Sequence, residues 1–262
     1  MKRALTIAGS DTSGGAGLQA DLKTFQTLEV YGMCAITLIN APSPTDWSYN
    51  IFPIGLDILR KQLDTVFEGV GVDAVKTGML GNVGLIETIA EYLDKYNPKF
   101  VVVDPVLACK GKDQVMSSDV ADALRELMVP RAFVLTPNLL EAGVLSGLGK
   151  LETLEDAKRA AIALHKLGAK HVVVKGGSRL GTKSATDIYY DGKNFHTFEN
   201  PKLENPNSHG AGCTFAATIA AELAKGTPVA TAIKKANAFV NSGITNGFKL
   251  NNFRGCLDYT KF

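Results

Sequence analysis

Polar residues close a series of apolar runs in this chain, and their types match what a polyphosphate requires. Asp104 follows Val101-Val102-Val103, Thr136 and Asn138 follow Phe133-Val134-Leu135, and Lys175 follows Val172-Val173-Val174 just before Gly176 and Gly177. Glu141 stands three residues beyond Asn138, one turn along if a helix starts there. Two carboxylates hold Mg²⁺ directly or through water, while a lysine and flexible glycine amides hold phosphate oxygens. Alone, each residue reads equally well as a cap or dipole partner at a helix start. Their joint placement at strand ends favours a nucleotide site.

A second cluster is His209-Gly210-Ala211-Gly212-Cys213-Thr214, followed by a small-residue helix expected over 215–225 and stopped by Gly226. Consecutive amides at a glycine-rich helix start form an anion hole, and the same field is expected to depress the pKa of the Cys213 thiol. Cys213 is therefore a candidate general base, against the commoner fate of a cysteine packed as a small hydrophobe. Two other glycine signals are weaker. Gly15-Ala16-Gly17-Leu18-Gln19-Ala20 matches the dinucleotide fingerprint only with alanine for its last glycine, and Ile39-Asn40-Ala41-Pro42 lacks the acidic residue expected after the next strand. Gly176 and Gly181 have P-loop spacing, but Thr182 holds the lysine position and Lys183 comes one place late, which excludes that motif.

The elements that must position these residues alternate. Near-continuous β-branched runs at 5–8, 101–105, 133–137 and 172–176 fit strands buried on both faces, as in a parallel sheet. Helical spacing over 154–167 ends at Gly168. The alternation implies an α/β fold, a doubly wound αβα sandwich in which the strand ends share one crevice. Asp191-Gly192 between alternating segments signals one β-hairpin. The segment 40–53, with three prolines and the single Trp47, interrupts the pattern as either a flap over a site or a plain surface excursion.

Composition narrows the class. With 262 residues, 45% of them hydrophobic, the chain is long enough for one large domain. Its 28 basic and 26 acidic residues are dispersed, giving a net charge of +2 and no basic run of the kind that tracks nucleic acid. Neither a secretory segment nor a membrane span is evident, so a cytoplasmic protein is expected. Cys34, Cys109, Cys213 and Cys256 lack the spacing of a zinc site or a disulfide framework.

Six segments together resemble the hydroxymethylpyrimidine (phosphate) kinases of thiamin synthesis: 8–21, Lys76-Thr77-Gly78-Met79-Leu80, Asp104-Pro105-Val106, 136–142, Lys175-Gly176-Gly177 and 209–214. Within that group the chain resembles the two-cysteine pyridoxal kinases of Firmicutes, because Cys109 lies in what would be the lid loop. The resemblance implies a ribokinase-like fold using ATP and Mg²⁺, with lid segments near 40–53 and 106–115. It implies Cys213 as base, with the Gly210, Ala211 and Gly212 amides stabilising the transferring phosphoryl group. Cys109 would hold pyridoxal as a hemithioacetal. ATP contacts are implied at Asn138, Lys175, Gly176, Gly177, Ser178, Arg179, Asp187 and Gly212. Mg²⁺ is placed near Glu141 with Asp104, and Asp11, Met79 and Val106 with Cys109 line the acceptor pocket. The implied reaction is phosphorylation of the hydroxymethyl group of vitamin B6, pyridoxal first, to give pyridoxal 5'-phosphate, by a homodimer as is usual in the family. The rivals are a hydroxymethylpyrimidine kinase and a non-catalytic B6-binding protein. Two positions depart from the pattern. Pro42 stands where pyrimidine kinases usually have a glutamine reading the substrate's amino group, and Asn237 stands where relatives can have a nucleotide-contacting lysine.

Overall fold

The computed structural model describes residues 1–107, 117–180, 182–203 and 207–261. Alternation of side chains across the first strand, β1 (Arg3–Asp11), sets the layers. Leu5 and Ile7 point into one apolar core, and Ala4 points into another on the opposite face. Both faces are covered, which is what a run of buried β-branched residues demands.

The remaining strands are β2 (Tyr31–Asn40), β3 (Ile51–Pro53), β4 (Ala74–Thr77), β5 (Val101–Val103), β6 (Val134–Leu135), β7 (His171–Lys175), β8 (Ala185–Tyr190) and β9 (Phe195–Asn200). They form one sheet in the order β3-β2-β1-β4-β5-β6-β7-β8-β9. Pairing is parallel from β2 through β7 and antiparallel at both edges, where β3 joins β2 and β8 and β9 follow β7. A two-stranded ribbon, β10 (Phe248–Lys249) with β11 (Gly255–Cys256), lies apart from the sheet in pairing.

Helices α2 (Leu56–Asp64), α3 (Val83–Tyr96), α4 (Ser118–Ala123), α5 (Leu139–Ser146) and α6 (Leu154–Lys166) bury residues in the core that contains Leu5 and Ile7. Helices α1 (Gly17–Thr27), α7 (Ala211–Ala224) and α8 (Val229–Thr245) pack on the other face through Phe25, Phe215, Ile219 and Ile233. The expected αβα sandwich is the observed one. Helix α6 covers the expected 154–167 segment, with Thr153 and Asp156 closing a capping box at its start. The Asp191-Gly192 hairpin is present, with Asp191 Oδ1 accepting from the amides of Lys193 and Asn194 and Gly192 at φ +96°. No helix among the described residues is long and apolar enough to cross a membrane.

The segment 40–53 takes a definite form, and the expected start of one helix is corrected. Within the segment 40–53, β2 ends at Asn40, the chain turns, and residues 51–53 return as β3, antiparallel to β2. The short turn is held by Ala41 N donating to Asn50 O and Ser43 N to Ser48 O. Its three prolines disguised a strand that is three residues long and lies at the sheet edge, where the ladder tolerates proline. The helix expected over 215–225 begins at Ala211, because Gly210 at φ +89° makes the turn into it. Gly212 and Cys213 therefore lie within its first turn.

Candidate active site

The carboxyl ends of the parallel strands carry the polar residues, and two cavities open there. The larger, about 410 Å³, is lined by Asn138, Lys175 through Arg179, Asp187 and one face of α8. The smaller, about 200 Å³, is lined by Asp11, Met79, Asp104, Val106, Glu141 and the loop from His209 to Cys213. Asn138, Lys175, Ser208, Ala211 and Gly212 belong to both linings. That shared wall is where a group could pass from a ligand in one cavity to a ligand in the other.

Lys175 ends β7, and its Nζ donates to Asp104 Oδ1 at 2.8 Å beside the end of β5. Asp104 is 3% exposed. Burial pushes the Lys175 ammonium down, and the carboxylates of Asp104 and Glu141 outweigh that and hold it above its ordinary value. Thr136 is spent on structure, its hydroxyl lying 3.4 Å from Asp104 Oδ1, and it lines neither cavity. Asn138 caps α5: its Oδ1 accepts from Glu141 N at 3.0 Å, and Glu141 Oε2 accepts from Asn138 N at 2.8 Å. Glu141 is thus both a cap and a buried carboxylate facing Asp104. Burial, with Asp104 adding repulsion, pushes its acid pKa to about 7 even though Lys175 and the amides of Asn138 and Leu107 pull it down.

A divalent cation fits this pair. Asp104 and Glu141 repel one another in a buried place, and among the described residues no three His, Cys, Asp or Glu side chains converge to enclose a metal by themselves. Mg²⁺ commonly binds in that way, through one or two carboxylates with water and phosphate oxygens completing its shell. A polyphosphate fits as well. A Cβ added at Gly212 would stand 3.3 Å from Lys175 Nζ, so the backbone there leaves the ammonium open to an anion.

Gly210 and Cys213 shape the smaller cavity. A Cβ at Gly210 would lie 2.1 Å from Gly15 O, so the turn into α7 sits directly on the glycine loop that opens α1. The backbone of Gly17 and the Lys76 ammonium favour the Cys213 thiolate. Burial nevertheless dominates and pushes the Cys213 thiol up to about 11. The expected depression of this pKa is therefore corrected: the helix start and the cation are outweighed by desolvation and by the carboxylates of Asp21 and Asp104. Asp11, expected to face the acceptor, is already engaged. Its Oδ1 accepts from the Ser13 amide and hydroxyl, and its Oδ2 is 2.9 Å from His209 Nε2. Burial pushes the Asp11 acid up, but the bonds to His209 and Ser13 prevail and leave it below the usual range. Asp11 and His209 thereby tie the end of β1 to the turn that opens α7.

Sequence reasoning assigned no role to several residues of this region. Lys76 Nζ donates to Asp21 Oδ2 at 2.8 Å with both side chains fully inaccessible, and Thr6 Oγ1 donates to the same oxygen at 2.5 Å. Lys76 forms part of the floor of the smaller cavity. In the larger cavity, Asn237 Nδ2 donates to Asp187 Oδ2 at 3.1 Å and Asn200 Nδ2 to Asn237 Oδ1 at 2.7 Å. Asn237, Val240, Asn241 and Ile244 share one helical face toward the cavity, a periodicity that could have marked them. Cys109 lies outside the described residues.

The chain belongs to the phosphomethylpyrimidine kinase family, whose model matches residues 11–258. Within the family it is similar to the pyridoxine kinase of Bacillus subtilis, with 49% identity over 97% of this chain and 94% of that one. It is also similar to the hydroxymethylpyrimidine/phosphomethylpyrimidine kinase of the same organism, with 41% identity over 99% and 95% of the two chains. The pyridoxal kinase of Staphylococcus aureus, solved in complex with AMP-PCP and pyridoxal, superposes with a TM-score of 0.94 at 45% identity, covering 100% of this chain and 94% of that one.

Proposed function

We propose that this protein transfers the γ-phosphoryl group of ATP to the hydroxymethyl group of a B6 vitamer, pyridoxal first, giving pyridoxal 5'-phosphate. The observation that carries the reading is the shared wall: Lys175, Ala211 and Gly212 line a nucleotide-sized cavity and a ring-sized one at once. The adenosine side belongs to the larger cavity, with Gly176, Gly177, Ser178, Arg179 and Asp187 around it. The vitamin belongs to the smaller, between Met79 and Val106.

The amides of Gly210 and Gly212 are assigned to the charge that gathers on the moving phosphoryl group, where Lys175 adds a cation; the Ala211 amide, expected to join them, donates instead to Ser208 O at 3.2 Å. Mg²⁺, when bound, neutralises phosphate charge and orients the leaving oxygen. Asp104 and Glu141 are the residues that would hold it. Cys213 accepts the hydroxymethyl proton. It does so as a thiolate, and burial keeps most of the group protonated at neutral pH, so turnover climbs with pH as the thiolate fraction grows. The family resemblance assigns to the segment around Cys109 the exclusion of water, and to Cys109 itself the pyridoxal aldehyde, held as a hemithioacetal. A homodimer and a cytoplasmic location are part of the same reading, on the strength of the family resemblance.

A pyrimidine acceptor is the second reading, favoured by the family match. Steady-state comparison of pyridoxal, pyridoxine and hydroxymethylpyrimidine decides between them. The B6 reading expects kcat/KM for pyridoxal to exceed that for the pyrimidine. The reverse order would make this a pyrimidine kinase, and absence of coupled ADP release with all three would leave only a binding protein.

A further inference from the structure

One polar group on the wall of the acceptor cavity has no bonding partner among the described residues. Asn40, the last residue of β2, is 8% exposed, and its Oδ1 is buried with no hydrogen-bond partner among the described residues. Its side chain forms part of the cavity lining. Two other buried oxygens, Asp21 Oδ1 and Thr77 Oγ1, are unpartnered as well, but neither of those residues lines a cavity. The backbone of Asn40 is fixed on both sides: it pairs with Asp11 of β1 and with Ile51 of β3, and its carbonyl accepts from Thr12 N at 3.0 Å. The backbone that carries the carboxamide is therefore held in place beside an unused acceptor, and buried polar groups in native proteins are rarely left so without a reason. Pro42, two residues on, has no side-chain group that could bond a ring edge.

We infer that Asn40 is a specificity-determining residue of the acceptor site, its carboxamide oxygen accepting a hydrogen bond from an O–H or N–H on the edge of the acceptor ring. The inference rests on the B6 reading above. In that vitamin the ring hydroxyl and the protonated ring nitrogen both stand meta to the hydroxymethyl carbon. With the hydroxymethyl group at Cys213, either donor is free to meet a group elsewhere on the wall. A site built to satisfy such a donor rejects analogues that lack it, because the protein acceptor is then left unpaired in a dry cavity.

The test uses pyridoxine, which cannot form a hemithioacetal, and two analogues: one without the ring hydroxyl and one with CH in place of the ring nitrogen. The measurement is kcat/KM for each with the wild type, Asn40→Ala and Asn40→Asp, with ATP affinity and melting temperature followed in parallel. The wild type is expected to disfavour one analogue by about tenfold, and the identity of that analogue names the donor. Asn40→Ala should bring pyridoxine down to the level of that analogue while changing the analogue itself by less than about twofold. Asn40→Asp, which keeps an acceptor oxygen, should retain the discrimination. Equal losses on all three acceptors in Asn40→Ala, or a wild type that treats them alike, would overturn the inference. Failure of the wild type to phosphorylate pyridoxine at all would instead remove the B6 reading, and the inference with it.

Discussion

Replacing Lys76 with Met separates the structural and chemical roles of a charge buried under the acceptor cavity. Lys76 Nζ lies 2.8 Å from Asp21 Oδ2, and neither side chain is accessible. Without the lysine, Asp21 keeps only the Thr6 hydroxyl on Oδ2, and its Oδ1 already has no partner among the described residues. Removing one member of such a pair costs about 3–5 kcal/mol, a large part of the ~5–15 kcal/mol that a domain commonly has. With a urea slope of about 3 kcal/mol/M, the unfolding midpoint should fall by roughly 1–1.7 M. Burial already pushes the Asp21 acid above its ordinary value, and losing Lys76 raises it further. A group whose folded pKa is raised gives stability that is present at low pH and lost as pH rises, so the deficit should be smaller at pH 5 than at pH 8. Lys76→Met combined with Asp21→Leu removes both charges and should restore most of the midpoint. Turnover should stay low in the double variant, since the Lys76 cation that favours the Cys213 thiolate acts on it more strongly than the Asp21 carboxylate that is removed with it, and the rising limb of the kcat–pH profile should move to higher pH. A single variant within about 1 kcal/mol of wild type would refute the buried-pair argument. Recovery of turnover together with stability in the double variant would reduce Lys76 to a structural role.

Four further outcomes follow, three from the site geometry and the last from the family resemblance. Glu141→Gln should require more Mg²⁺ for half-maximal rate, because an amide is a poorer ligand for a hard cation, and an unchanged titration would leave Asp104 as the ligand. Because the Glu141 acid is pushed up to about 7, the metal-free wild type should lose stability as pH rises from about 4.5 through 7, and the Gln variant should lack that loss; parallel urea midpoints at pH 5 and 8 would contradict it. Gly210→Ala places a Cβ 2.1 Å from Gly15 O at a φ of +89°, so displacement of the anion-hole amides should lower kcat by about 100-fold, and turnover within a few-fold of wild type would remove those amides from the mechanism. Cys109→Ala should lower kcat/KM for pyridoxal by roughly tenfold, about 1.4 kcal/mol, with pyridoxine much less affected; equal losses would remove Cys109 from substrate holding.

The catalytic crevice was legible because each of its strands is a buried run, and parallel strands put their polar final residues at one edge. Asp104, Asn138, Glu141 and Lys175 meet for that reason. Lys76 was hidden by the same logic, since it sits inside the run Ala74–Thr77, and its partner is 55 residues earlier on α1; spacing carries no trace of a contact made between layers. The start of α7 was misplaced because Ala211 and Gly212 lack an apolar pattern, and only the positive φ of Gly210 shows where the helix begins. The Cys213 pKa was misjudged in sign because a helix start is visible in sequence, whereas desolvation and the nearby Asp21 and Asp104 carboxylates emerge only in the folded chain. Asn40 passed as part of a proline-rich loop, and its unpaired oxygen becomes meaningful once β3 pins it at the cavity wall.

The most direct test of phosphoryl transfer across the shared wall follows the γ-phosphate of labelled ATP in the presence of Mg²⁺ and pyridoxal. The arrangement of Lys175, Gly212 and Cys213 predicts one label on the 5'-oxygen of the vitamin for each ADP formed, and loss of that product in Cys213→Ala with ATP binding retained. Label appearing as free phosphate at the rate of ADP formation, or product formed at an undiminished rate by Cys213→Ala, would contradict it.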